Sequence, residues 1–334
     1  MAKLPLYYKV LERYPSVIDW LQLLANLGRS PATVEAYGRG VAHYLGHCEA
    51  NGYKPEAATF ELVTSYVAEL LPGQPQAIAN STLHQRLTAI RLWYDHLVFT
   101  GIRENNPVPR GSIGRSKRSE NSAFARGLIP RLIKLPSVLT DEQWFVLLKY
   151  VACCSTRDRL MLSLAYCGAL RRGELIKLDV RDLDLAHRLI TIRAENTKNR
   201  RGRVVCYSPS IAPLLMSHLT DLRQAGWASG PLFRSVSDRN YGSQLSYWAW
   251  SKIVEGWRKC TDIANLSTHS FRHLRLTHLA RSGWKLHEIT SYAGHRDPKT
   301  TMMYVHLSGA DLSLKMQSSM EQLDRQLLSG LAGE

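Results

Sequence analysis

A basic stretch rich in Gly, Ser, Arg and Lys, residues 110–134, interrupts the chain and limits how its 334 residues can fold. It follows the break Asn105-Asn106-Pro107-Val108-Pro109, where the prolines oppose a continuing helix. Against one acidic residue, Glu120, the stretch holds the basic residues Arg110, Arg115, Lys117, Arg118, Arg126, Arg131 and Lys134. This composition is typical of an extended linker that can follow a phosphate backbone. We therefore predict a domain over residues 1–108, a basic linker over 109–136 and a second domain over 137–334.

The residues before this break have the spacing of amphipathic helices. Ser30-Pro31 supplies an N-cap and a proline suited to the first turn, ahead of an apolar stripe from Val34 to Cys48. Further helices are expected over 59–71 and 81–99, so the first domain is predicted to be all helical. The polar face of the last helix carries His84, Arg86 and Arg91. That face is either a solvated surface or one that contacts phosphates.

The second domain is predicted to be mainly helical, with a small β-hairpin. Thr140 and Gln143 have the spacing of a capping box and predict a helix that begins there. Alternating or β-branched residues at 189–192 and 203–206 predict two strands around a long basic tip. Further helices are expected over 158–168, 172–178, 210–225, 244–260, 269–282, 285–292, 299–306 and 311–329. The fold class is therefore mainly α, with a small β-sheet or hairpin in the second domain.

Charge and cysteine usage narrow the class of partner and the compartment. A net charge of +15 and a pI near 9.7 favour a polyanion, most commonly nucleic acid, although a generally basic protein is the alternative. The six cysteines are scattered without a CxxC pair, which indicates reduced thiols rather than a metal site or a disulfide framework. The apolar run 160–170 is too short to span a bilayer, and the first residues lack the pattern of a signal peptide. We expect a soluble, cytoplasmic, nucleoid-associated protein.

Short motifs in the second domain hold the residues that phosphodiester chemistry needs. Planar guanidinium groups match the non-bridging oxygens of a phosphate, and the leaving deoxyribose oxygen needs a proton donor. A tyrosine, with a pKa near 10, attacks only when a base or a positive field assists it. In chain order the motifs contribute Arg171 with Glu174 one turn later, Lys198 at the hairpin tip, His269 with Arg272 at i, i+3, His295 after Ala293-Gly294, and Tyr304. Asp297 and Pro298 are expected to open the helix that carries Tyr304.

Through these motifs, in this order, the chain resembles the tyrosine recombinase (phage integrase) family over essentially its whole length. The resemblance implies a two-domain, C-shaped clamp around double-stranded DNA, built from a helical, SAM-like core-binding domain, the basic linker and a catalytic domain. It implies a homotetramer on two DNA sites, with a monomer or dimer off DNA. It implies no metal and no other cofactor, because a phosphotyrosine link conserves the energy of the cleaved bond.

The resemblance also implies a role for each motif residue. Tyr304 would be the nucleophile, forming a 3′-phosphotyrosine link and freeing a 5′-hydroxyl. Arg171 and Arg272 would hold the scissile phosphate, and His295 would hydrogen-bond it. Lys198 would protonate the leaving oxygen, although another base on the hairpin could take that role. His269 would help to take the tyrosine proton, with Glu174 as a supporting residue.

Several residues near these motifs have two interpretations. Four arginines beside Arg171 and Lys198 are expected to contact DNA rather than to be merely solvated: Arg172, Arg200, Arg201 and Arg203. DNA contact is also expected of basic residues on the last helix of the first domain and on the linker: Arg86, Arg91, Arg115, Lys117 and Arg118. His269 and His273 have the i, i+4 spacing of a metal pair but lack an apparent third ligand, so zinc is not expected. Tyr292 is a rival tyrosine that reads instead as helix packing.

The resulting prediction is a site-specific recombinase that cuts and rejoins DNA, with integration or excision of a mobile element as its favoured role. Resolution of chromosome or plasmid dimers, a type IB topoisomerase and a DNA-binding protein that has lost catalysis remain as alternatives. The apolar spacing of residues 311–329 predicts a C-terminal helix that docks on its own domain or, by the resemblance, on a neighbouring subunit.

Overall fold

The structure, a computed structural model, describes residues 9–108, 128–129, 132, 137–197 and 199–306. It separates into two compact units, Met1–Lys134 and Leu135–Glu334. The predicted C-terminal helix over 311–329 and most of the predicted linker lie outside the described residues. In the part that is described, the chain is mainly helical with a small antiparallel sheet, which confirms the predicted fold class.

The first unit is helical, as its apolar spacing predicts. Its helices are α1 (Pro15–Asn26), α2 (Pro31–Ala50), α3 (Phe60–Glu69) and α4 (Asn80–Phe99). Ser30 caps α2, since its Oγ accepts a hydrogen bond from the Thr33 N–H at 3.2 Å. The predicted stripe of α4, from Leu83 to Leu97, is buried in the core of this unit. Arg86 and Arg91 lie half-buried on the same helix.

The second unit contains helices and a three-stranded antiparallel sheet. In chain order the elements are α5 (Asp141–Ala152), α6 (Thr156–Cys167), α7 (Arg172–Ile176), β1 (Leu183–Asp184), β2 (Leu189–Ile192), β3 (Arg203–Cys206), α8 (Ala212–Gln224), α9 (Tyr247–Thr261), α10 (Ser270–Arg281), α11 (Leu286–Ala293) and α12 (Lys299–His306).

Two local predictions in the second unit are confirmed. Thr140 and Gln143 form the capping box at the start of α5, with reciprocal hydrogen bonds of 3.2 and 3.1 Å. Strands β2 and β3 pair as the predicted hairpin, with Leu189 opposite Cys206 and Ile192 opposite Arg203. The two-residue strand β1, which pairs with β2, is too short to give an alternating pattern and was not predicted.

The sequence motifs of the second unit converge because α10 packs against α6, α11 and α12. A small apolar cluster fills the space between these helices and contains Ala169, Leu276, Leu279, Ile289, Ala293 and Tyr304. The predicted opening of α12 is also present: the Asp297 carboxylate accepts a hydrogen bond from the Lys299 N–H at 2.9 Å. The helix therefore starts at a fixed point and carries Tyr304 into the cluster.

Candidate active site

Arg171 stands at the N-terminus of α7, and Glu174 fixes its side chain. Its Nη1 donates to Glu174 Oε1 at 2.8 Å, and its backbone N–H donates to Glu174 Oε2 at 2.9 Å. Its Nη2 donates to the carbonyl oxygen of Gly294 at 3.1 Å. Arg171 is therefore held by Glu174 next to the residue that precedes His295.

Arg272 is almost fully buried, with 3% of its surface exposed. Its Nη1 and Nη2 donate to the carbonyl oxygens of Ala169 and Ala293, each at 2.6 Å. Burial and the nearby charge of Arg171 lower its pKa. The guanidinium plane is thus fixed between two backbone segments before any ligand arrives.

Two backbone positions with positive φ shape this arrangement. Ala169 has φ +46, an uncommon value for a residue with a side chain, and its carbonyl is the one that Arg272 contacts. Gly294 ends α11 with φ +61, and a Cβ there would lie 3.2 Å from Arg203 Cδ. Only glycine satisfies both requirements easily, so Gly294 sets how closely the loop before His295 approaches the hairpin.

Tyr304 lies at the centre of the site, with 1% of its surface exposed. Its Oη is 2.8 Å from Nδ1 of His273, and its ring stacks parallel to that of His295, with centroids 6.2 Å apart. Burial raises the pKa of the phenol, while the charges of Arg272 and Arg171 act to lower it. The proposed nucleophile therefore lies in the field of both arginines.

His295 is oriented by Thr301, a fully buried residue on α12. Its Nδ1 lies 2.8 Å from Thr301 Oγ1. Burial, followed by the charges of Arg272 and Arg171, lowers the pKa of His295 to about 3, so the ring is neutral near pH 7. A neutral imidazole with Nδ1 engaged can present Nε2–H to an anion.

His269 occupies the N-cap position of α10, exposed to solvent. Burial of part of the ring, with the charges of Arg272, Arg172 and Arg171, lowers its pKa. Its ring centroid is 6.3 Å from that of His273. Within the described residues, no group of three or more His, Cys, Asp and Glu side chains is placed to hold a metal ion.

The hairpin tip reaches this site through Asn199. Its Nδ2 donates to the carbonyl oxygen of Gly294 at 3.3 Å, and Thr197 closes the turn by accepting from the Arg201 N–H at 3.0 Å. Lys198 lies between them in sequence but outside the described residues, as do Arg115, Lys117 and Arg118. The expectation that these residues protonate the leaving oxygen or contact DNA stays a prediction.

Arg203 lies elsewhere than expected. Both its Nη atoms donate to the Glu174 carboxylate, its Nε donates to the Tyr292 carbonyl at 2.9 Å, and its side chain is 8% exposed. This placement argues against the DNA contact expected for Arg203. It indicates instead that Arg203 holds the Glu174 carboxylate. The sequence could not reveal it, because the partner carboxylate is 29 residues away.

The remaining arginines lie at the edges of the site. Arg172 is half-buried, and its Cζ lies 3.2 Å from the centroid of the Tyr247 ring. Its Nη1 donates a hydrogen bond to Ser251 Oγ. Arg200 and Arg201 are exposed on the hairpin. Between the hairpin and the loop before α12 lies an open cleft of about 710 Å³, whose lining includes Arg201, His287, His295 and Arg296. Arg296, which no sequence motif singles out, is exposed there.

Tyr292 and His273 lie near Tyr304 in sequence or in space and have different roles in the structure. Tyr292 packs as expected: its hydroxyl donates to the Cys167 carbonyl at 2.6 Å, and its ring lies against the apolar cluster that contains Tyr304. His273, in contrast, had been considered only as half of a metal pair. Its sequence signal was its position on the face of α10 one turn after His269, and the structure places it against the tyrosine.

The site thus combines fixed arginines, histidines whose pKa values are lowered and a buried tyrosine. A model of the phage integrase family matches residues 137–310, which is more than half of the chain. The chain belongs to the phage integrase family, the tyrosine recombinases, whose members cleave and rejoin DNA.

Individual relatives extend this similarity beyond the second unit. Transposase A from transposon Tn554 of Staphylococcus aureus is 24% identical over 344 aligned residues, covering 95% of each chain. Tyrosine recombinase XerC of Pelobacter propionicus is 28% identical, covering 86% of this chain and 89% of the relative.

Solved structures share the fold. The XerH site-specific recombinase bound to a palindromic difH substrate has a TM-score of 0.67 at 16% identity, covering 85% of this chain and 79% of that one. The Tn1549 transposon integrase in complex with a circular intermediate DNA has a TM-score of 0.65 at 12% identity, covering 86% and 94%. A match over 85% or 86% of the chain extends into both units. None of the helices in the described residues is long and apolar enough to cross a membrane.

Proposed function

We propose that this recombinase cuts and rejoins double-stranded DNA through a 3′-phosphotyrosine link at Tyr304, and that it integrates and excises a mobile element. The observation that carries the chemical part is the position of the Tyr304 phenol, which is hydrogen-bonded to a histidine and lies in the field of Arg171 and Arg272. Attack on a phosphodiester requires a polarised phosphate beside an activated hydroxyl, and the arginines and the histidine contact support these two roles.

In this proposal Arg171 and Arg272 bind the non-bridging oxygens of the scissile phosphate. Their carbonyl and carboxylate partners fix each guanidinium in advance, so little reorganisation accompanies binding. His295 donates a third hydrogen bond from Nε2, and Lys198 protonates the leaving 5′-oxygen. The phosphotyrosine keeps the bond energy for rejoining, so the reaction uses no metal and no nucleotide.

The similarity to a transposase along 95% of both chains favours a mobile element as the biological context. Resolution of chromosome or plasmid dimers is the second candidate, favoured by the similarity to XerC. We further propose a homotetramer on two DNA sites, a monomer or dimer away from DNA, and nucleoid association in the cytoplasm. The basic surface around Arg200, Arg201 and Arg296 supports binding to the DNA backbone.

Covalent trapping of fragmented genomic DNA from the source organism tests both parts. Wild-type protein is denatured during reaction, and the DNA attached to it is sequenced beside a Tyr304→Phe control. Reads at the two ends of an element support integration and excision. Reads at a single chromosomal locus support dimer resolution, and reads spread without sequence preference support topoisomerase-like activity. Absence of trapped DNA from the wild type, together with intact DNA binding, indicates a protein without catalysis and contradicts the proposal.

A further inference from the structure

His273 makes a direct contact with the reacting oxygen, which neither the family motif nor the expected role of His269 assigns to it. Its Nδ1 lies 2.8 Å from Tyr304 Oη, a normal hydrogen-bond length, and the two ring centroids are 5.7 Å apart. His273 is half-buried and Tyr304 is buried, so little water competes for this contact. His269 instead lies at the exposed start of the same helix.

We propose that His273, rather than His269, is the residue that accepts the Tyr304 proton during DNA cleavage, an inference that rests on the proposed function. As the bond from Oη to phosphorus forms, the Oη–H bond breaks and the proton moves to Nδ1 of His273. The bond from phosphorus to the 5′-oxygen breaks with its electron pair on that oxygen, which takes a proton from Lys198, the acid of the proposed function. In rejoining, the 5′-hydroxyl attacks phosphorus and returns its proton to Lys198, the bond from phosphorus to Oη breaks, and His273 returns its proton to Oη.

The charges around His273 suit a proton acceptor that works only with DNA in place. The titratable and charged groups that face it are Tyr304 from α12, His295 from the loop before α12, and His269 and Arg272 from its own helix. Burial, then His269 and Arg272, lower the pKa of His273 to about 4, so the ring is neutral near pH 7. In the tautomer that carries its proton on Nε2, Nδ1 is free to accept the Tyr304 hydroxyl proton. A scissile phosphate adds negative charge beside Arg272 and favours the protonated ring at the step that needs it.

The alternative is that His273 only holds the tyrosine ring in place. The two roles differ in their dependence on pH. If the substitution removes a base, hydroxide can replace that base. The cleavage defect then becomes smaller as the pH rises toward the pKa of free tyrosine. If only packing has been lost, the defect is the same at every pH.

The test measures the rate of covalent adduct formation on nicked suicide substrates from about pH 6.5 to about pH 9.5. This range starts at the usual pKa of histidine and approaches that of tyrosine. His273→Asn keeps an acceptor near Nδ1 but cannot carry the proton, His273→Gln is a second variant of different shape, and His269→Asn is the matched control. Each variant is first checked for its melting temperature and DNA affinity. A substrate with sulfur in place of the bridging 5′-oxygen removes the need for an acid, so it isolates the step at Tyr304.

We expect both His273 variants to cleave at least about 100-fold more slowly than wild type near pH 7, on the oxygen and sulfur substrates alike. This defect should narrow as the pH rises, while His269→Asn should show no such narrowing. A defect that is constant with pH, wild-type rates in the His273 variants, or a narrowing defect in His269→Asn would each overturn the inference. Failure of the wild type itself to form an adduct would instead overturn the proposed function, and the inference with it.

Discussion

Both Nη atoms of Arg203 donate hydrogen bonds to the two carboxylate oxygens of Glu174, at 3.1 and 2.8 Å. The same carboxylate accepts from the side chain and backbone of Arg171, so it connects strand β3 with the start of α7. Burial acts to raise the pKa of Glu174, but the hydrogen bonds and charge of Arg203, followed by Arg171, hold it at about 2. The charged carboxylate therefore determines where the Arg171 guanidinium lies.

Replacing this carboxylate should destabilise the second unit strongly. Glu174→Gln leaves the buried guanidinium of Arg203 without its counter-charge, and breaking a buried pair of this kind costs about 3–5 kcal/mol. Urea unfolding measures the change. Glu255→Gln, which breaks the solvent-exposed pair with Arg258, is the control and should leave the midpoint almost unchanged. Equal effects of the two substitutions would contradict the structural role of Glu174.

Stability should fall as the pH drops below about 6.5, the usual pKa of histidine. Burial and nearby arginines lower the pKa of His295 to about 3, and burial with His269 lowers that of His273 to about 4. The unfolded chain then binds more protons than the folded one, so stability is complete above about 6.5 and is lost as the pH falls. After allowance for partial solvent exposure, each histidine accounts for about 1–2 kcal/mol between pH 7.5 and 5.

Urea unfolding at about pH 7.5 and at about pH 5 measures how much the free energy of unfolding falls in acid. His295→Asn should reduce the loss of stability, whereas His187→Asn, at an exposed position, should not. An unchanged acid dependence in His295→Asn would show that this ring does not titrate as described. Glu174 contributes in a lower window, because stability from a depressed carboxyl pKa is lost between about 4.5 and 2.

Thr301 should affect cleavage through His295 although it touches no DNA in this account. Thr301→Val removes the hydroxyl that contacts His295 Nδ1, and the loss of one buried hydrogen bond, about 1–2 kcal/mol, corresponds to roughly tenfold slower adduct formation. Thr301→Ser keeps the hydroxyl and should retain most of the rate. Thr300→Val, at the exposed neighbouring position, is the control. Full activity of Thr301→Val would remove the orienting role.

The exposed arginines of the cleft should contribute to the salt dependence of DNA binding. Arg201→Gln and Arg296→Gln should each reduce the slope of log affinity against log salt by about 1, since each guanidinium that neutralises a phosphate releases counterions. Arg258→Gln, whose side chain pairs with Glu255, is the matched control and should leave the slope as in wild type. Affinity is measured at several salt concentrations on one duplex, and an unaltered slope in both cleft variants would exclude the cleft as a backbone contact.

The fold was predictable from sequence wherever local signals agreed with one another. Ser30, the Thr140 capping box and the β-branched strands of the hairpin each define an element through contacts within a few residues, and all are present. Strand β1 lacked such a signal. The site was harder to predict, because its geometry depends on contacts between residues far apart in the chain.

Arg203 and His273 illustrate that difference. A basic residue on a hairpin is equally compatible with DNA contact and with a buried carboxylate. Only the folded chain shows that Arg203 and Glu174 meet. Likewise, the spacing of His269 and His273 defines a shared helix face but not which ring meets α12. The family motif indicated which residue types react; the three-dimensional packing determines which of them touch one another.

The identity of the nucleophile is the central claim, and mapping the covalent attachment tests it most directly. Adduct trapped on a suicide substrate is digested with nuclease and trypsin, and the peptides are sequenced by mass spectrometry. Residues 300–315 form one tryptic peptide, in which Tyr304 is the only tyrosine. We predict that this peptide carries a nucleotide 3′-phosphate on Tyr304 and that the Tyr304→Phe protein yields no modified peptide. Attachment to any other residue, such as Tyr292, or an adduct that persists in Tyr304→Phe, would contradict the account.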